Sequence, residues 1–320
     1  MTHRNRRLPA VLAALLVLCG ALSAQAANDQ FALQFDNLMV LDPAVDGVYE
    51  GWAIIGGAPF STGVFNVDGA GMTVDPVTGD LIDVFNTGLS LAGTTEIKIS
   101  IEPAGDADPA PSGLIVLTGA VVDGMAQLVP ALPGYSMLET ATGSYILATP
   151  SDNAVDAAND DQGVWFLCMP GPMAGFVGLP DLGPNWTYEG WVVDLSGPAP
   201  MPYSTGTFDD PAMADSDQAG SMGGGPPFPG QDFTAYHGGP VLDLDSGDFA
   251  VVLSIEPVPD NSPAPFLFKP FAGAVPTDAL GMCNALGNQT AATFPTGTAE
   301  IGNPLPNETR SWGGLKSLYK

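Results

Sequence analysis

The sequence predicts an all-β protein built as two tandem antiparallel β-sandwich domains. Candidate strands are short and alternate apolar with polar residues, and 40 Gly and 31 Pro punctuate them at close spacing. One block is also written twice. Tyr49-Glu50-Gly51-Trp52, followed by Ser61-Thr62-Gly63, recurs as Tyr188-Glu189-Gly190-Trp191, followed by Ser204-Thr205-Gly206. No stretch of helical period is long enough for a bundle, or for the crossovers that a parallel sheet requires.

Residues 1–26 have the form of an export signal: Arg4, Arg6 and Arg7, an apolar run over 8–22, then Ala24-Gln25-Ala26. The mature chain is expected to start at Ala27 without a transmembrane anchor, in the periplasm, on the cell surface or outside the cell. Repeat one then occupies 27–158, repeat two 159–306, and a basic, aromatic tail 307–320.

In repeat one, residues 31–35 alternate as a half-buried strand, and Asp42-Pro43 and Asp46-Gly47 supply turns. The Tyr-Glu-Gly-Trp strand pairs across Gly56-Gly57-Ala58-Pro59 with residues 61–67 as a hairpin. Trp52 and Trp191 are expected as core anchors. Residues 95–101 form the clearest strand, with Ile97, Ile99 and Ile101 inward and Glu96, Lys98 and Ser100 outward. Pro103 ends it, and residues 106–111 form a proline-stiffened loop. Residues 114–122 and 145–148 supply the closing strands.

Repeat two keeps this order with longer connections. Ser100-Ile101-Glu102-Pro103 recurs as Ser254-Ile255-Glu256-Pro257, and from there to Thr142-Gly143 and Thr296-Gly297 the offset holds at 154. The largest insertion, 209–233, has no periodicity and reads as a loop. Residues 151–162 link the repeats.

Cys168 and Cys283 are the mature chain's two cysteines, and an even pair in an exported chain suggests a disulfide. All 35 acids but only five of the eight Lys and Arg follow the signal, so net charge moves from −27 to −30. Nucleic acid is excluded as a natural partner, because phosphate binding needs a basic footprint. The acidity reads as a solvated surface, with a sharper alternative that some carboxylates collect cations. Asp209, Asp210, Asp215 and Asp217 are the calcium candidates, with Asp106 and Asp108 as a second pair; a solvated acidic loop is the plainer account of both.

Catalytic signatures are lacking. His237 is the one mature histidine, a loop residue without partners in sequence, and neither zinc spacing, P-loop nor serine elbow occurs. The expectation is a non-enzyme with no cofactor other than calcium. Glu102 and Glu256, each before a proline (Pro103, Pro257), are read as structural acceptors of backbone N–H groups. Glu50 and Glu189 are read in the same way, as carboxylates that fix a turn.

Tyr-x-x-Trp on a strand, a Gly-x-Phe return, and a Ser-Ile-Glu-Pro strand end with a Pro-Ala-Pro loop together resemble the extracytoplasmic C-terminal domain of anti-sigma-K factors. The matching positions are Tyr49, Trp52, Gly63, Phe65, Glu102 and Pro103, and again Tyr188, Trp191, Gly206, Phe208, Glu256 and Pro257. The resemblance covers about 31–305 and implies a duplicated β-sandwich outside the cytoplasmic membrane. It carries no sigma-binding activity, since no segment here matches the family's cytosolic domain. The expected function is an exported, non-enzymatic binding or sensing module whose partner is a protein or envelope component. The alternative is an acidic structural surface or matrix protein stabilised by calcium.

Overall fold

A computed structural model describes residues 29–150, 160–217, 225–234, 240–260 and 262–302. The signal segment 1–26, His237, most of the inter-repeat linker and the tail 307–320 lie outside these residues.

The first half of the chain runs β1 (Gln30–Asp36), β2 (Val48–Ile55), β3 (Ala58–Val67), β4 (Thr73–Val74), β5 (Phe85–Asn86), β6 (Thr94–Glu102), β7 (Ile115–Val122), β8 (Met125–Pro130), one helical turn α1 (Tyr135–Leu138) and β9 (Gly143–Leu147). The second runs β10 (Gly163–Trp165), β11 (Leu167–Cys168), β12 (Met173–Ala174), β13 (Trp186–Asp194), β14 (Met201–Phe208), β15 (Gly230–Asp232), β16 (Phe249–Pro257), β17 (Phe268–Ala274), β18 (Asn284–Asn288), the turn α2 (Thr290–Thr293) and β19 (Thr296–Gly302). The protein is all-β and sandwich-like, as its alternation predicts. Strand β15 falls inside the 209–233 insertion and pairs with β10; three residues are too few to show a period of two.

Two large antiparallel sheets carry the fold. The first has nine strands in the order β4-β3-β2-β6-β7-β8-β19-β1-β5, and the second has eight, β14-β13-β16-β17-β18-β9-β10-β15. The strands do not sort by repeat. β9, which the sequence places as a closing strand of repeat one, lies between β18 and β10 of the second sheet. Its counterpart β19 lies between β8 and β1 of the first, with Phe31 opposite Ile301 and Leu128 opposite Gly297. Each repeat therefore gives its last strand to the other.

The 154-residue offset explains why this exchange is possible. Two segments of matching pattern, each led by one helical turn, can satisfy the same sheet edges, and either pairing leaves no unpaired ladder. The crossing point is tied by Asn288, whose Nδ2 donates to Leu138 O at 2.7 Å and Ala141 O at 3.0 Å, and by Tyr135 against Phe294, ring centroids 5.9 Å apart. One apolar core runs through both repeats as a result, from Phe31 and Leu33 to Phe268, Phe271 and Phe294.

The duplicated block frames that core. Tyr49 and Tyr188 point inward, fully buried, and donate their hydroxyls to Met39 O at 3.0 Å and Pro180 O at 2.8 Å. Burial raises both phenols far above their usual range, so they stay neutral donors. Ile97, Ile99 and Ile101 are buried on β6 as the alternation requires, each stabilising by roughly 1.5–3 kcal/mol. Trp191 is buried too, but on the opposite face, with Val193 and Val252, so the expected core anchor belongs to a separate apolar patch. Gly51 and Gly190 are required because a Cβ would collide with Thr62 Oγ1 and Thr205 Oγ1, and a bulge follows at each position.

Much of the acidity belongs to turns. Nine described aspartates accept the backbone N–H two residues on: Asp42, Asp68, Asp75, Asp106, Asp108, Asp181, Asp194, Asp210 and Asp260. Lys98 with Glu96, at 3.7 Å, is the one salt bridge among the described residues. The negative charge thus stems in good part from the turn chemistry that a chain of short strands demands.

Cys168 and Cys283 form a disulfide, with Cα atoms 5.3 Å apart, inside the second repeat. Loop closure over 115 residues gives it about 4–5 kcal/mol in the chain-entropy treatment. Reduction should lower unfolding free energy by up to that amount in denaturant titrations, and an unchanged midpoint would contradict a bridge that constrains the unfolded chain. The exchange has its own test. If a protease site is inserted in residues 151–159 and cut, the two fragments should co-elute on a native sizing column and separate only in denaturant. Separation under native conditions would contradict the interlock.

Candidate functional site

The outer faces of the paired strands β2–β6 and β13–β16 carry the same polar ladder. Strand pleat puts alternate residues on one face, so Glu189 and Trp191 share a face, as do Ser254 and Glu256. Register then sets Glu189 opposite Ser254 and Glu50 opposite Ser100. Trp191 Nε1 donates to Ser254 Oγ at 2.7 Å, and Ser254 in turn donates to Glu256 Oε1. Repeat one writes the same chain, with Trp52 Nε1 donating to Ser100 Oγ at 2.7 Å and Ser100 to Glu102 Oε1. Each Ser-Thr-Gly strand adds one more link, Ser204 to Glu189 Oε1 and Ser61 to Glu50 Oε1.

Glu102 and Glu256 do accept backbone N–H groups, from Ser112 and Phe266 of the loop that folds back over each strand end. Glu50 and Glu189 are held differently from the expected backbone fixing, through the serine hydroxyls of the neighbouring strand.

The repeats then diverge. In repeat one, both Oε atoms of Glu102 accept from Ser112 N at 3.1 Å. In repeat two, Phe266 N reaches only Oε1 of Glu256, at 2.9 Å, and Oε2 of Glu256 and Oε2 of Glu189 are buried without a hydrogen-bond partner. Glu189 is 5% exposed and Glu256 fully buried. Asp260, from the loop after β16, approaches so that carboxylate oxygens of Glu189, Glu256 and Asp260 lie within 4.8 Å of one another.

Electrostatics follow from this crowding. Burial, then repulsion from Glu256 and Asp260 and a carboxyl–carboxyl hydrogen bond with Asp260, pushes the Glu189 carboxyl up to about 8, against the pull of Ser204. Burial, then repulsion from Asp260, pushes Glu256 up to about 7, against its hydrogen bonds and the Lys269 ammonium. Lys269 is itself lowered by burial and partly restored by Glu256; it donates to Phe266 O. Glu102 is raised as well, chiefly by burial.

Asp260 also lines a cleft of about 400 Å³ that both repeats build. Ala44, Val45, Asp46, Ile101, Pro103, Ala104 and Leu114 form one wall, and Pro257, Pro259, Asp260, Ser262 and Phe266 the other. The two Glu-Pro strand ends thus meet across an apolar gap with an aspartate on each side. Asn185 Nδ2 donates to Gly113 O at 3.1 Å and holds the repeats together nearby.

None of the calcium candidates of the insertion joins a described group of three carboxylates. Asp209 accepts from Thr187 Oγ1 at 2.9 Å, Asp210 caps its own turn at Ala212, and Asp215 is buried and accepts from Gly230 N at 2.7 Å. Asp217 joins none of the described groups of three carboxylates, and neither Asp106 nor Asp108 does. A second group, Asp161, Asp243 and Asp245, lies elsewhere and is more open. Among the described residues no helix is long and apolar enough to cross a membrane.

Same-face alternation of Glu189 with Trp191, and of Ser254 with Glu256, was legible in the sequence. Asp260 and Lys269 were not, since a loop fold-back brings in the first and a third strand the second.

Linkage sets a pH dependence. Glu189 and Glu256 hold protons in the folded chain above their ordinary value of 4.5, where the unfolded chain has released them, so stability falls as pH rises from about 4.5 through about 8. Exposed carboxylates finish titrating below roughly pH 6. In chelator, the melting temperature should drop between about pH 6 and 8, and Glu189→Gln should flatten that drop. Equal slopes in the two proteins would contradict the buried pair as its source.

No family model, no curated protein and no solved structure matches the chain.

Proposed function

We propose that this chain is an exported, non-enzymatic binding module, two interlocked domains of the anti-sigma-K extracytoplasmic kind that take their partner in the cleft between repeats. The cleft carries the reading: both Glu-Pro strand ends contribute to it, through Ile101, Pro103 and Leu114 on one side and Pro257, Pro259 and Phe266 on the other. Prolines with fixed φ give a rigid wall, so a ligand meets a site that costs little to order. Asp46 and Asp260 add negative charge to an apolar gap in a body of formal net charge −27. The chemistry suits an apolar segment bearing basic residues on an envelope or secreted protein.

Export is supported by the signal-like N-terminus and by the disulfide, which persists in oxidising compartments. The non-enzymatic reading rests on the sequence, which offers no nucleophile–base pairing of known form.

A photo-crosslinking residue at Ala104, on one wall, and another at Ser262, on the other, test the site in producing cells. Both should trap the same adduct, and the same residue at the exposed Val122, away from the cleft, should not. Absence of an adduct from either wall, or the same adducts from Val122, would overturn the assignment.

A further inference from the structure

We propose that Glu189, Glu256 and Asp260 form a binding site for one divalent cation of calcium size. The site shares Asp260 with the cleft wall but does not depend on which partner the cleft takes. It stands on two observations. Three carboxylates from β13, β16 and the following loop place oxygens within 4.8 Å of one another. Two of these residues are almost wholly buried, each with an Oε2 atom that no backbone or hydroxyl donor reaches, and the Glu189 carboxyl is in hydrogen-bonding contact with the Asp260 carboxyl.

Buried carboxylate oxygens without donors are costly, and a hydrogen-bonded or ion-paired state is the rule. Every contact on the other oxygens is already assigned. Ser204 holds Glu189 Oε1, Ser254 and Phe266 N hold Glu256 Oε1, and Ser262 N donates to Asp260 Oδ1 at 2.9 Å. These bonds hold each carboxylate through one oxygen and leave the other without a backbone or hydroxyl donor, as outer hydrogen bonds do for metal ligands. Oxygens on opposite sides of a calcium ion stand about 4.8 Å apart, twice the roughly 2.4 Å bond, so these separations lie within the span of one ion's ligand shell. Hard oxygen ligands with flexible spacing suit calcium better than magnesium, which demands a tighter octahedron.

Repeat one is the internal contrast. Its matching residues are Glu50, Glu102 and Asp106, on the same scaffold. There Ser112 N satisfies both oxygens of Glu102, Glu50 is half-buried and Asp106 exposed. The position of Lys269, whose ammonium faces Glu256, is Ile115 in repeat one. Once a cation displaces the protons that burial keeps on Glu189 and Glu256, three carboxylates and one ammonium give the second-repeat cluster a net −2, which matches a divalent ion. Bound there, the ion would tie β13, β16 and the loop carrying Pro259 and Asp260, one wall of the cleft, to a single point.

Calorimetry on the chelator-treated mature chain, titrated with calcium chloride and separately with magnesium chloride, tests this. One saturable calcium event is expected, with Kd of roughly 10⁻⁴–10⁻³ M, the range of extracellular modules, and weaker magnesium binding. Glu189→Gln and Asp260→Asn should each weaken calcium roughly tenfold or more, while Glu102→Gln should leave it unchanged. Asp260 is the least buried of the three and its backbone contact is to its own turn, so Asp260→Asn decides the matter if Glu189→Gln fails to fold. Calcium should also raise the melting temperature of the parent protein and not of Asp260→Asn. Absence of a saturable event up to about 10 mM, or equal binding by Asp260→Asn, would overturn the site in favour of diffuse attraction to an acidic surface.

Discussion

An unpaired strand edge leaves a row of N–H and C=O groups without partners, and in this chain that requirement is met across the repeats. The first sheet is continuous only because β19 bridges β8 and β1, and the second only because β9 bridges β18 and β10. Everything between follows from that exchange. The apolar core becomes one body, the single helical turns α1 and α2 meet at the crossing, and the two Glu-Pro strand ends are fixed opposite each other. The exchange, with the Asn185–Gly113 hydrogen bond beside it, sets the distance between the cleft walls.

On that frame the two repeats carry one polar device with two outcomes. Trp-to-Ser-to-Glu hydrogen bonds are the same in both, to the 2.7 Å indole contact. In repeat one, the fold-back loop saturates Glu102 and closes the device. In repeat two the loop sits so that Phe266 N reaches one oxygen, and Asp260 turns a third carboxylate inward. Duplication kept the strands and altered the loop, and the loop is where the chemistry differs. The same logic holds for charge: aspartates that cap turns are part of the fold, whereas no turn needs the buried carboxylates of Glu189 and Glu256 to crowd against Asp260.

The sequence by itself determined the all-β class, the duplication, the inward isoleucines of β6, the disulfide partners and the shared faces of Glu189 with Trp191 and Ser254 with Glu256. These depend on a period of two, on turn residues and on counting, all local in the chain. Tertiary structure alone decided three matters: which copy each closing strand joins, which face Trp191 buries, and which acids converge. Thr142-Gly143 and Thr296-Gly297 hold the same place in each repeat, so local pattern is silent on which sheet each segment joins. Asp209, Asp210 and Asp215 are close in sequence yet engaged by separate donors, while Glu189 is distant in sequence from Glu256 and Asp260 and meets them. Proximity along the chain governs turns; convergence of charge is set by strand register and by a loop folding back, and neither is written in any one stretch.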